Sequence, residues 1–135
     1  MHRALVFGIL LTASACSSSD DLKYADQAVA QFHSEVNSGQ FDKIYADAAP
    51  EWKSATSRDD TVKLFTGVRK KLGTYVSGKQ AGWNVNYGTG GTVIRVGYES
   101  KFQNGDGEET FTFRRTGQAT QLIAYNINSK ALITG

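Results

Sequence analysis

The stretch GWNVNYGTGGTVIRVGYES, residues 82–100, decides the fold. Trp83, Val85 and Tyr87 alternate with Asn84 and Asn86; beyond Gly88-Thr89-Gly90-Gly91 the alternation resumes, with Ile94, Val96, Tyr98 and Phe102 set against Arg95, Glu99 and Lys101. A period of two sends one set of side chains to an apolar face and the other to water, the pattern of half-buried strands. The glycine-rich tetrapeptide between the runs reads as a hairpin turn. A phosphate-cradling loop would need a helix N-terminus directly after its glycines, and Thr92–Val96 is strand-like.

Toward the C-terminus the same period continues. Asn104-Gly105-Asp106-Gly107 is a second turn signal, leading into Thr110–Arg114 with Phe111 and Phe113 on one face. Gln121–Asn128 forms a last strand that places Ile123, Tyr125 and Ile127 together. Toward the N-terminus the period changes to that of a helix. Ser57 and Asp60 form a capping pattern ahead of a helix from Arg58 to Leu72, whose stripe is Val62, Phe65, Val68 and Leu72. Lys70 and Lys71 suit its C-terminal dipole, and Gly73 ends it. A short helix is expected over Phe41–Ala48, stopped near Pro50. Leu22, Ala25, Val29, Phe32 and Val36 mark an earlier helix that Gly39 can close. Helices first and hairpin-linked strands after them predict an α+β fold, with N-terminal helices packed on a curved, cone-like antiparallel sheet of about four strands.

Composition bounds what such a domain can do. At 135 residues with 40% hydrophobic and 21% charged side chains, residues 22–135 suit one compact domain with its own core. Fifteen basic residues against thirteen acidic ones, with the basic ones scattered, leave no footprint for nucleic acid.

The N-terminus has a separate character. Met1–Arg3 is a short positive start, Ala4–Leu11 an apolar run, and Thr12–Ala15 a small-residue segment before Cys16. This is the layout of an export signal over residues 1–15, too short to span a bilayer, which takes about 20 apolar residues. Cys16 is the only cysteine, so it has no disulfide partner within the chain. It is also poorly placed for catalysis, between a signal and the polar tract Ser17–Asp21. Ala13-Ser14-Ala15-Cys16 resembles the lipobox of bacterial lipoproteins. That resemblance implies cleavage before Cys16, acylation of its thiol, and export to a membrane face. With Ser17 rather than aspartate after the cysteine, it implies the periplasmic face of the outer membrane in a Gram-negative host. Residues 16–21 would then be the lipidated cysteine and a flexible tether.

The blocks SGQFDKIYADAAPEWK, GWNVNYGTGGTVIRVGYES, NGDGEETFTF and LIAYNINS resemble uncharacterised bacterial lipoproteins carrying a domain of unknown function. Such domains are thought to be similar to the cone-shaped nuclear transport factor 2-like, or cystatin-like, fold. The shared motifs are packing and turn residues, so the resemblance implies a fold more than an activity.

Candidate chemistry is sparse. His33 is the only histidine after the signal, and it reads as a structural residue at the edge of the helix stripe. Zinc needs about four ligands that the chain does not supply, and no cofactor motif or nucleophile elbow occurs. Phe32, Trp52, Phe65, Trp83, Tyr87, Tyr98 and Tyr125 are candidates to line a concavity between helices and sheet. Three readings follow. One is a lipid-anchored envelope protein that binds an apolar small ligand or an envelope protein without catalysis. A second is a small metal-free cavity enzyme of isomerase or dehydratase type, which requires a carboxyl group facing the tyrosines. The third is a structural module acting through its sheet face or edge.

Overall fold

The computed structural model describes residues 18–134. Helices α1 (Ser18–Asn37), α2 (Phe41–Asp47), α3 (Pro50–Ala55) and α4 (Arg58–Leu72) precede strands β1 (Tyr75–Gly88), β2 (Gly91–Phe102), β3 (Gly105–Thr116) and β4 (Ala119–Asn128), and a single turn, α5 (Lys130–Ile133), follows. The strands form one antiparallel meander in the order β1-β2-β3-β4, with the helices on one face. The fold is therefore the expected α+β class with helices on a four-stranded antiparallel sheet. Among the described residues no helix is long and apolar enough to cross a membrane. The expected signal over 1–15 and Cys16 lie outside the described residues.

The local signals act as anticipated at α4, where Ser57 Oγ accepts from Asp60 N–H at 3.1 Å and Gly73 takes a φ of 73°. Gly39, at φ 72°, turns the chain out of α1. Four details differ from the sequence expectation. Pro50 opens α3 at its first turn, where the missing N–H costs nothing, instead of merely following α2. The second hairpin turns at Gln103-Asn104, because Phe102 pairs with Gly105 and Gly105–Gly107 belong to β3. A bulge between Thr112 and Phe113 shifts β4, so that Leu122 rather than Ile123 is its buried residue at that level. Residues 18–21, expected in the tether, are already the first turn of α1, held by a 2.6 Å ion pair between Asp21 and Arg115.

The core fills the space between helices and sheet. Ala25, Val29, Phe32 and Val36 of α1, Trp52 of α3 and Phe65 of α4 meet Ile94, Val96, Phe111, Phe113 and Leu122 of the sheet. Phe111 is fully buried at its centre, with ring centroids 5.1 Å from both Phe32 and Tyr125. A smaller cluster, Val68, Leu72 and Phe102, closes the far end beneath Leu132 and Ala131 of α5.

The cross-strand register puts Trp83, Val96 and Phe111 in one row on the helix-facing side. Phe111→Ala is expected to lower unfolding stability by about 3–5 kcal/mol, the cost of an aromatic cavity. Trp83→Ser, in the same row but 53% exposed, should change it by no more than about 0.5 kcal/mol. Urea titrations with unchanged slope check both values.

Candidate functional site

α1 crosses the inner face of the sheet, and a groove of about 790 Å³ runs between it and β1. Its walls include Asp26, His33, Asn37, Tyr75, Gln80 and Tyr98. Local sequence explains this placement. Asp26, Ala30, His33 and Asn37 recur at three- and four-residue steps along one side of α1, beside the apolar stripe. Asn37 fastens the end of the groove, accepting from Tyr75 N–H at 2.9 Å and donating to Tyr75 O at 3.2 Å. At mid-groove, Tyr98 OH donates to Asp26 Oδ1, and Gln80 Nε2 donates to the same oxygen at 3.2 Å.

Behind the groove lies a buried polar cluster. Glu109 is 1% exposed and accepts from Ser100 Oγ at 2.6 Å and from Tyr125 OH at 2.6 Å, while His33 Nε2 lies 2.7 Å from its Oε1. Two hydroxyl donors and an imidazole nitrogen converging on one carboxyl group suit its ionised form, a pure acceptor. Nε2 is then the protonated nitrogen of His33. Tyr75 stacks on the imidazole at 3.5 Å, nearly parallel, and so restricts the ring's motion. Burial pushes the Tyr125 phenol well above its usual range, and the negative charge of Glu109 adds to that. Burial also raises Tyr98, helped by its bond to Asp26, and raises Tyr75. The Tyr98 and Tyr125 phenols therefore act as donors, and all three phenols keep their protons instead of serving as bases.

The expected lining residues do not share one concavity. Phe32, Trp52 and Phe65 are core, packed ring to ring at 5.3 Å (Phe32–Phe65) and 6.0 Å (Trp52–Phe65), with Trp52 Nε1 donating to Thr61 Oγ1. Tyr125 is half-buried and committed to Glu109. Tyr98 does line the groove. Trp83 and Tyr87 share the inward face but are 53% and 60% exposed, because β1 runs out beyond the cover of the helices. Cys16 lies outside the described residues. Glu99 points to water and pairs with Lys79 at 3.3 Å, as its parity required.

Sequence reasoning missed Glu109, although a signal was present. In EETFTF it has the parity of Phe111 and Phe113, so a lone acid sits on an apolar face. His33, beside Phe32 at the edge of the stripe, is the buried polar group of α1 that meets it.

A larger depression of about 1060 Å³ lies between the start of β1, the β2–β3 hairpin and α5, but its walls are mostly charged and polar, including Lys79, Glu99, Lys101 and Lys130. It lacks the aromatic walls of the α1–β1 groove. Among the described residues no cluster of His, Cys, Asp and Glu could hold a metal ion.

Glu109→Gln places an amide nitrogen among donors, and is expected to cost about 1–3 kcal/mol in urea unfolding. The raised tyrosines give a second prediction. Above about pH 10 the unfolded chain releases phenolic protons that the folded chain keeps, so stability falls as pH rises further. Tyr125→Phe should flatten that alkaline slope. Comparison with protein-family models finds no match to this chain, and comparison with curated proteins finds none either.

Proposed function

We propose that the chain is an exported, lipid-anchored protein of the bacterial cell envelope that binds without catalysing. Cys16 carries the lipid, and the α1–β1 groove takes an apolar small ligand or a segment of an envelope protein. In a Gram-negative host its place is the periplasmic face of the outer membrane. The single observation that carries the binding reading is the way packing is distributed. The helices fill the core completely around Phe111, yet leave a groove whose walls combine Tyr75 and Tyr98 with the polar groups of Asp26, Gln80 and Asn37. Apolar walls with a few fixed polar groups are the common composition of ligand sites. A domain related to the nuclear transport factor 2-like fold would fit this use.

A metal-free cavity enzyme is the second reading, and the Asp26–Tyr98 pair favours it, because a carboxyl group there faces a tyrosine in an accessible groove. Against it, Asp26 Oδ1 already accepts two hydrogen bonds and Tyr98 holds its proton firmly. An acid–base pair needs a group free to exchange a proton near neutral pH.

Native mass spectrometry of full-length protein, extracted from its own membranes in mild detergent, tests the proposal. The expected result is a mass beginning at Cys16 plus lipid, with additional non-covalent mass that is lost in Ala30→Trp, a substitution that fills the groove. Extra mass that survives the substitution would place binding elsewhere. Turnover of a supplied carbonyl substrate that is abolished by Asp26→Asn would establish the enzyme instead.

A further inference from the structure

One end of the molecule brings together three features that the groove does not use. The first is the start of α1. Cys16 is only two positions before Ser18 and five before Asp21. Whatever path the chain takes, five residues span at most about 18 Å. Asp21 is fixed to the sheet, fully buried and bonded at 2.6 Å to Arg115, whose guanidinium also lies 4.0 Å over the Tyr24 ring. The sheet register then locates that point. Tyr87 pairs with Thr92, Thr92 with Arg115, and Arg115 with Thr120, so this row lies at the end of the sheet to which Asp21 is tied. The Thr89-Gly90 turn lies just beyond it.

The second feature is charge. In a chain with 21% charged residues, the fourteen residues Ala81–Ile94 contain none. They make up the half of β1 adjoining this end, its turn, and the start of β2. The third is exposure: Trp83 and Tyr87, large aromatic groups with a polar handle, are more than half exposed on this strand. An uncharged edge strand invites unwanted pairing unless something covers it. The other half of β1 is protected by the irregularity between Tyr75 and Ser77 and by Lys79, a second irregularity between Gln80 and Gly82 marks the boundary, and the far edge, β4, has α3 against it, with Ala49 N–H donating to Leu122 O at 2.9 Å.

We infer that the half of β1 bearing Trp83 and Tyr87, with the Thr89-Gly90 turn, rests in the headgroup layer of the bilayer that holds acylated Cys16. This rests on the anchoring reading above. Tryptophan and tyrosine favour that layer, where one part of the ring is apolar and the other wet. Asp21 and Arg115 neutralise each other nearby, so the attachment owes little to lipid charge and should survive added salt. The inference also orients the molecule: the end bearing Asn37, Gln103 and α5 points away from the membrane.

Acylation of Cys16 leaves an introduced cysteine as the only free thiol, which permits a direct test. Full-length lipidated Thr89→Cys and Lys101→Cys proteins are nitroxide-labelled in phosphatidylcholine vesicles, and collision with a water-soluble nickel chelate is measured. The expected result is loss of chelate access at position 89 with full access at 101. Access at 89 should return in a variant carrying Trp83→Ser and Tyr87→Ser. Full access at both positions, in protein whose mass includes the lipid, overturns the orientation and leaves the anchor standing. Shielding at 89 accompanied by nitroxide–nitroxide broadening that vanishes on dilution in lipid overturns it in favour of a second copy. Labelling of Cys16 itself means that it is not acylated, and removes the anchoring reading together with this inference.

Discussion

The carboxylate of Glu109 is the joint on which the fold turns. It sits on β3, receives Ser100 from β2 and Tyr125 from β4, and reaches across the layer to His33 of α1. One buried group thus fixes three strands and a helix relative to one another. Apolar contacts alone tolerate sliding, since one hydrophobic surface resembles the next. A buried carboxylate does not, because each unmet partner costs far more than a misplaced methyl group. The tilt of α1, and with it the width of the groove along β1, follows from where His33 must stand.

Much of the fold was legible because it rests on period and punctuation. Alternation around Gly88–Gly91 gave a hairpin, Ser57 and Gly73 bounded α4, and the order of elements gave the class. What escaped depends on tertiary facts. The register slip at Thr112/Phe113 exchanges Leu122 for Ile123, and no local pattern announces it. α5 is too short to show a period and owes its place to the small cluster around Leu72 and Phe102.

The site was less legible than the fold for a related reason. Parity told which side of the sheet a residue faces, but not how far the helices extend over that side. Phe32, Trp52 and Phe65 have the pattern of cavity walls but are core, because four helices suffice to fill the middle of the sheet. Trp83 and Tyr87 have the correct parity and lie outside the covered area. Coverage is a property of helix length and crossing direction, which only the packed structure supplies.

The unequal edges of the sheet limit assembly. With α3 seated against β4, a neighbouring molecule has no flush strand to add to on that side. Association through main-chain hydrogen bonds is favoured instead between β1 and β1, an isologous contact that uses the same surface on both partners and closes at two. The architecture therefore disfavours an endless ladder of sheets.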